Sequence, residues 1–139
     1  MTNKELAELM CPNVKHDVDY YEALYPERNL PEGAVVSRFA PSPTGFVHMG
    51  SLLSAFIASK VPKETNGVFF LRIEDTDGKR SVENGVQGII DDLNNFDIKI
   101  DEGVVSETEQ IGKYGPYIQS ERKEIYDTYA KHLVEEGLA

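Results

Sequence analysis

The chain has 139 residues, of which 40% are hydrophobic and 27% are charged. These values fit one folded domain with a sizeable core and exclude a wholly disordered chain. A formal net charge of -10 argues against a protein that coats nucleic acid, because phosphate binding needs clustered Lys and Arg. No apolar run is long enough to span a bilayer and no signal-peptide pattern is present, so we expect a cytoplasmic protein without membrane association. The single cysteine, Cys11, excludes an internal disulfide and any CxxC motif.

The charge is unevenly distributed along the chain. Residues 34–80 carry six basic and four acidic side chains. Acidic side chains outnumber basic ones by seven to three in residues 1–33 and by 13 to five in residues 81–139. An anionic ligand is therefore expected at the middle third.

The first 33 residues are predicted to form a helical extension, and residues 34–139 the main domain. Thr2 or Asn3 can cap a helix over residues 4–10, and a second helical segment is predicted over residues 17–24. The extension is expected to pack without taking part in chemistry.

The main domain begins with the pattern of a βαβ unit. Residues 34–39 and 68–73 are predicted strands, and a helix should run from Met49 to about Ser59, where Pro62 ends or kinks it. This order predicts an α/β fold with a mainly parallel sheet. Its ligand site should lie at the carboxyl ends of the strands.

Further elements are predicted after residue 80. Ser81 can cap a helix, residues 98–100 form a short strand, and residues 103–115 read as a loop. Ser120 can cap a last helix over residues 121–136. This helix is expected to bury three apolar positions: Ile125, Tyr129 and Leu133.

The loop between the first strand and the first helix of this unit, within residues 38–51, is the strongest candidate site. Two prolines stiffen it, and Gly45 permits a positive φ. The helix N-terminus near His48 offers free N–H groups to an anion, and Gly50 leaves room for a flat ring. The loop is neither a GxGxxG loop nor a Walker A loop. From the residues alone, a stiff turn with a capping histidine is an equally good interpretation.

A second candidate follows the second strand. Glu74, Asp75 and Asp77 can bind a divalent cation or an ammonium group, or can simply cap the next loop. Because the ends of parallel strands meet, Arg38 and Glu74 are expected to face one cleft with opposite charges. Such a pair suits a zwitterion.

The two candidate motifs, taken together, resemble those of a known protein family. Residues 38–51 resemble the signature region of class I aminoacyl-tRNA synthetases, with His-Met-Gly-Ser at 48–51 in the position of the HIGH motif. Pro-Ser-Pro-Thr-Gly at 41–45, together with Arg-Ile-Glu-Asp-Thr-Asp at 72–77, resembles the glutamyl-tRNA synthetases in particular. Shorter matches lie at 101–103, 115–117 and 119–122.

The resemblance implies the N-terminal half of a Rossmann-like nucleotide-binding domain. It implies that ATP activates L-glutamate to glutamyl-adenylate, which is then transferred to tRNA(Glu). Mg²⁺ would arrive with the nucleotide, and no protein ligands for a metal are expected in this segment.

The resemblance also implies residue roles. Arg38 would bind a glutamate carboxylate, and Glu74 would bind the α-ammonium group. Ala40 and Ser42 would line the amino-acid pocket. His48 and Thr44 would hydrogen-bond the phosphate oxygens during catalysis. The ATP-binding set would be Thr44, Gly45, His48, Gly50 and Ser51.

The resemblance stops short of a whole enzyme. No KMSKS-type loop is present, and the sequence stops where the acceptor-arm insertion of the family would begin. We therefore expect the front part of a larger enzyme, inactive alone. Two alternatives stay open: a paralogue that attaches glutamate to queuosine-containing tRNA(Asp), and a non-catalytic module that binds a nucleotide or an amino acid.

Overall fold

A computed structural model describes residues 1–78 and 80–139 of the protein. In chain order its elements are α1 (Asn3–Met10), α2 (Val18–Leu24), β1 (Val36–Phe39), α3 (Met49–Thr65), β2 (Val68–Leu71), α4 (Gly85–Asn95), β3 (Glu102–Val104), β4 (Gln110–Ile111), a 3-10 helix (Gln119–Arg122) and α5 (Lys123–Glu135). Among the described residues, no helix is both long and apolar enough to cross a bilayer.

The chain folds into two compact units. One contains Met1–Glu27 and Glu121–Ala139, and the other contains Arg28–Ser120. Contacts within the first unit thus group α5 with α1 and α2. The sequence-based division of the chain into a helical extension, residues 1–33, and a main domain, residues 34–139, stays a prediction.

The larger unit is built on a four-stranded sheet in the order β1-β2-β3-β4. β1 pairs with β2 and β2 pairs with β3 in parallel, whereas β3 and β4 are antiparallel. The helix α3 connects the first parallel pair, as expected for a βαβ unit. The predicted α/β fold with a mainly parallel sheet is confirmed.

The core of this unit lies around β2. Phe69 and Leu71 of this strand are almost completely buried, and they share one apolar cluster with Ala55 of α3 and with Ile89 and Leu93 of α4. Each fully buried large side chain contributes roughly 1.5–3 kcal/mol. The core therefore fixes the strand ends from which the candidate loops emerge.

Helix α3 is longer than predicted, because Pro62 does not end it. A proline has no N–H to donate to the carbonyl four residues earlier, here that of Ala58. The Ser37 hydroxyl on β1 donates to that carbonyl at 2.5 Å instead. The helix then continues to Thr65 and ends at Asn66, which has the left-handed φ of 54°. The expectation that the helix ends before Pro62 was wrong, because a neighbouring strand supplies the missing donor. A kink at Pro62 stays a prediction.

The elements after residue 80 also differ from the prediction. Helix α4 begins at Gly85, not after Ser81, because the Val82 N–H donates to the Pro43 carbonyl at 2.9 Å and Asn84 has a left-handed φ of 55°. Residues 98–100 are not a strand. The strand β3 begins later, at Glu102, and the segment predicted as a loop contains β4.

In the smaller unit, α5 buries a different face from the one predicted. Ile125 is buried as expected, but the other buried positions are Thr128 and Val134. Leu133 is 42% exposed, and Tyr129 is only partly buried. The helix starts at Lys123 after a 3-10 turn, so Ser120 does not cap it.

Candidate active site

The loop that follows β1 encloses a cavity of about 290 Å³. The cavity lies at the carboxyl end of the strand and at the N-terminus of α3, where the sequence predicts it. Six of the nine predicted site residues line it: Ala40, Ser42, Thr44, Gly45, His48 and Ser51. Arg38, Gly50 and Glu74 are not among its lining residues.

Backbone contacts hold this loop in place. The Thr44 N–H donates to the Ser42 carbonyl at 2.9 Å, and the Val82 N–H donates to the Pro43 carbonyl, also at 2.9 Å. Gly45 has a φ of 147°, in the range that side chains with a Cβ rarely adopt. The backbone conformation therefore explains why a glycine is found at position 45.

His48 is the N-cap of α3. Its Nδ1 accepts a hydrogen bond from the Ser51 N–H at 3.3 Å, and its Nε2 lies 3.0 Å from the Ser51 hydroxyl oxygen. When Nδ1 accepts, the proton of the neutral ring resides on Nε2 and can be donated. The first-turn N–H groups of the 17-residue helix and its dipole add positive partial charge. An anion such as a phosphate can bind beside this helix terminus.

Gly50 is constrained by the histidine. A Cβ added at Gly50 would lie 3.2 Å from Cε1 and Nδ1 of the His48 ring, closer than most real Cβ contacts. The glycine thus keeps space free for the imidazole. Its predicted role beside a flat ligand ring stays a prediction.

The loop after β2 is joined to the loop after β1 through the backbone. The Arg72 N–H donates to the Phe39 carbonyl at 3.0 Å, and the Glu74 N–H donates to the Pro41 carbonyl at 2.9 Å. This brings Glu74 beside the first loop, as the parallel arrangement of the strands requires.

Glu74 carries an ion pair that the sequence analysis missed. Its Oε1 lies 3.3 Å from Nη2 of Arg72, and both side chains are largely shielded from water. Arg72 Nε is buried and has no hydrogen-bond partner among the described residues. The spacing of two residues could have indicated the pair, because side chains two positions apart on an extended segment share one face.

Arg38 lies on β1 in register with Phe70, and its side chain is exposed. The next residue, Phe39, is buried, so alternation directs the arginine away from the core. The expected pairing of Arg38 and Glu74 across one cleft stays a prediction.

The other two carboxylates of this loop are engaged by neighbouring side chains. Asp75 accepts hydrogen bonds from the Ser120 N–H at 2.8 Å and from its hydroxyl at 2.5 Å. Asp77 pairs with Arg80 at 2.5 Å. Within residues 1–78 and 80–139, no cluster of three His, Cys, Asp or Glu side chains could hold a metal ion. For Asp75 these contacts are those of a loop cap, and the binding of an ammonium group by Glu74 stays a prediction.

Comparison with known proteins assigns the chain to a family. A family model described as the catalytic domain of class I tRNA synthetases (E and Q) matches residues 34–139. The chain belongs to this family. It is 53% identical, over its whole length, to a glutamate–tRNA ligase of Acetivibrio thermocellus and 48% identical to one of Clostridium beijerinckii. It spans about a quarter of the length of these curated relatives, 26% and 25% respectively.

A solved structure resembles the chain at the level of the fold as well. The crystal structure of a glutamate tRNA ligase from Elizabethkingia meningosepticum, in complex with its amino acid, is 40% identical to it. The superposition has a TM-score of 0.64 and covers 73% of this chain and 19% of that one. The parallel sheet of this class I synthetase chain is thus the Rossmann-like sheet of its family.

This class I synthetase chain contains one further cluster that sequence reasoning missed. Arg28 donates two hydrogen bonds to the Glu102 carboxylate, at 2.5 and 2.8 Å, and its guanidinium carbon lies 3.8 Å from the centre of the Tyr114 ring. The Tyr117 hydroxyl donates to the same carboxylate at 2.8 Å. The Arg28 hydrogen bonds hold the pKa of Glu102 below its ordinary value. Burial, with the Glu102 hydrogen bond, raises the pKa of Tyr117 to about 12.

Proposed function

We propose that this chain supplies the amino-acid and ATP site of a glutamate–tRNA ligase, which joins L-glutamate to tRNA(Glu). The observation that carries the proposal is the cavity after β1, which opens at the N-terminus of α3 and is lined by its capping histidine, His48. The names of the relatives support glutamate as the amino acid.

In the first step, an oxygen of the glutamate α-carboxylate attacks the α-phosphorus of ATP, and the bond to the pyrophosphate leaving group breaks. Negative charge on the phosphate oxygens changes position as the new bond forms. His48 Nε2–H and the hydroxyl of Thr44 donate hydrogen bonds to those oxygens, together with the N–H groups at the start of α3. Losing one such donor typically lowers a rate by about 10²–10³.

The amino acid is bound by charge complementarity. The guanidinium of Arg38 binds a glutamate carboxylate, and the carboxylate of Glu74 binds the α-ammonium group. The ion pair with Arg72 restricts the Glu74 side chain, which favours a fixed acceptor. The small side chains of Ala40 and Ser42 leave space for the substrate.

The nucleotide binds along the same loop. Gly45, Gly50 and Ser51 extend the set formed by Thr44 and His48, because they lie at the anion-binding end of α3. Mg²⁺ would enter with the nucleotide and supply positive charge beside its phosphate oxygens.

In the second step, a hydroxyl of the terminal ribose of tRNA(Glu) attacks the glutamyl carbonyl carbon, and AMP leaves. Residues 34–139, where the family model matches, are proposed as part of the catalytic domain, with residues 1–33 as an extension. Most contacts with tRNA belong to the remainder of the family architecture, because this segment is strongly acidic outside its middle third.

A binding experiment tests the site. The 139-residue chain, labelled with ¹⁵N, is titrated with glutamyl-sulfamoyl-adenosine, a non-hydrolysable analogue of the adenylate, and separately with its glutaminyl counterpart. We expect saturable shifts in residues 40–51 and 73–76 with the glutamyl analogue only. Shifts located elsewhere, or equal binding of the two analogues, would contradict the proposal.

A charging experiment tests the reaction. The complete product of the gene is incubated with ATP, glutamate and either tRNA(Glu) or queuosine-containing tRNA(Asp). Glutamylation of tRNA(Glu) is the expected result. Charging of tRNA(Asp) alone would support the paralogue instead, and failure with both would favour a non-catalytic module.

A further inference from the structure

Residues 117–120 hold the chain on both sides of Glu74. On one side, the Ile73 N–H donates to the Tyr117 carbonyl at 2.9 Å, and the Gln119 N–H donates to the Ile73 carbonyl at 2.9 Å. On the other side, Ser120 donates two hydrogen bonds to the carboxylate of Asp75. The two sequence neighbours of Glu74 are thus fixed by one distant segment.

The side chain of Tyr117 anchors that segment. Tyr117 is 2% exposed, its hydroxyl donates to Glu102 at 2.8 Å, and the same hydroxyl accepts from the Tyr114 N–H at 3.1 Å. Its own N–H donates to Oε1 of Gln110 at 2.5 Å. A Cβ at Gly112 would lie 2.4 Å from the hydroxyl oxygen, so the glycine keeps the space that the hydroxyl occupies.

Glu102 is itself held rigidly. Glu102 forms a bidentate ion pair with Arg28. The Glu102 side chain is 16% exposed and the Arg28 side chain is 18% exposed, so water screens their attraction only weakly. The partner of the Tyr117 hydroxyl is therefore a fixed carboxylate on β3, the strand beside β2. Arg28, Glu102 and Tyr117 together connect the centre of the sheet to the loop that contains Glu74.

We propose that Tyr117 is a positioning residue for Glu74 and that Arg28 and Glu102 hold Tyr117 in its working position. The inference rests on the proposed function, in which Glu74 binds the ammonium group of glutamate. A charge-assisted hydrogen bond of this kind requires oxygen and nitrogen to lie about 2.7–2.9 Å apart. A small displacement of the Glu74 carboxylate would weaken it, whereas the His48 end of the cavity is held separately, by the cap of α3.

The position of the loop can be measured without any ligand. In the 139-residue chain, Tyr117→Phe removes the hydroxyl and keeps the ring. We expect the amide protons of Ile73, Gln119 and Ser120 to exchange with solvent about tenfold faster than in the wild type, because one buried charge-assisted hydrogen bond of about 1.4 kcal/mol is lost. Amides in the middle of α3 should exchange at the wild-type rate. Tyr20→Phe, in the other unit, is the matched control and should change none of them.

The functional consequence is measured by ligand affinity. Tyr117→Phe should raise the Kd for glutamyl-sulfamoyl-adenosine about tenfold and leave the Kd for ATP unchanged. Glu102→Gln should give the same pattern more weakly, since the neutral amide can still accept the hydrogen bond from Tyr117. If Tyr117 had a purely structural role, Tyr117→Phe would lower the affinity for both ligands together or for neither.

The outcomes separate the two proposals. Wild-type binding of the analogue with unchanged affinity in Tyr117→Phe would overturn the positioning role and leave the proposed function intact. A parallel loss of ATP affinity would also overturn it. If the wild type fails to bind the analogue, the proposed function fails, and the exchange rates still decide whether Tyr117 positions the Glu74 loop. Unchanged exchange at Ile73 and Ser120 would refute that.

Discussion

Nδ1 of His48 lies 3.3 Å from the Ser51 amide nitrogen, so one imidazole both caps α3 and lines the cavity after β1. The cap fixes the ring orientation, since the accepting nitrogen is committed to the helix. The opposite nitrogen, Nε2, then lies on the side of the Ser51 hydroxyl, 3.0 Å away. The two interpretations that the sequence left open, a capping histidine and a phosphate donor, use different nitrogens, and Nε2–H can donate to a phosphate once the Ser51 hydroxyl rotates away from it.

The two roles of His48 can be separated by two substitutions. His48→Ala loses both, and we expect it to cost about 1 kcal/mol of unfolding free energy and about 10²–10³ in the rate of ATP–pyrophosphate exchange. His48→Asn keeps a good N-cap acceptor and should retain wild-type stability, but its rate of ATP–pyrophosphate exchange should fall by a factor similar to that of His48→Ala. Urea unfolding of the chain and exchange assays on the complete gene product measure the two effects. Full activity in His48→Asn would show that the ring acts only as a cap.

Gly50 is expected to act through the same ring. In Gly50→Ala the new Cβ would lie 3.2 Å from the imidazole, so the ring must move by a few tenths of an ångström. We expect a lower exchange rate and a weakened cap that offsets the usual gain from replacing glycine in a helix. Gly88→Ala in α4 is the matched control, because nothing lies within 4 Å of its added Cβ. It should stabilise the chain by about 1 kcal/mol and leave the rate unchanged. Equal behaviour of the two variants in both assays would contradict the constraint on His48.

The sequence predicted what depends on local pattern. The βαβ order, the loop at the end of β1 and the histidine at the start of α3 all follow from short-range periodicity and from the positions of prolines and glycines. The family resemblance added residue roles that the spacing alone could not supply.

The errors arose where a distant residue decides the local structure. The continuation of α3 past Pro62 depends on the Ser37 hydroxyl, 21 positions away from the carbonyl that it bonds. The late start of α4 depends on a hydrogen bond from Val82 to the Pro43 carbonyl. The link of Arg28 to Glu102 joins residues 74 positions apart, and no pattern in one sequence indicates such a pair.

The hydrogen bond from Ser37 to Ala58 should account for the tolerance of Pro62. Ser37→Ala leaves the Ala58 carbonyl without its donor, and we expect a loss of about 1–3 kcal/mol in unfolding free energy. In a Pro62→Ala background, residue 62 regains an N–H that can donate to the same carbonyl. The cost of Ser37→Ala should then fall by at least half.

A double-mutant cycle measured by urea unfolding checks this coupling. Pro62 is buried, so Pro62→Ala alone also removes packing, but that loss cancels in the cycle. Additive effects of the two substitutions would mean that the hydroxyl does not replace the missing N–H. Ser59→Ala is a useful control, because the Ser59 hydroxyl donates to another carbonyl, that of Phe56, on the same helix. Its effect should be the same in both backgrounds.

Tyr117 should give the chain a distinct loss of stability in alkali. Burial, together with the hydrogen bond to Glu102, raises the pKa of the folded-state hydroxyl to about 12 from an unfolded-state value of 10.0. A raised pKa means that the folded state binds the proton more tightly. The resulting stabilisation is complete below pH 10 and is lost as the pH rises from 10 through 12.

In Tyr117→Phe this contribution is absent at every pH. The difference in unfolding free energy between the wild type and Tyr117→Phe should therefore be constant between pH 7 and pH 9 and should shrink steadily above pH 10. Urea unfolding at closely spaced pH values measures it, and Tyr20→Phe provides the baseline for a tyrosine lost elsewhere. A difference that stays constant up to pH 12 would show that the Tyr117 hydroxyl is not held in its protonated form by the folded state.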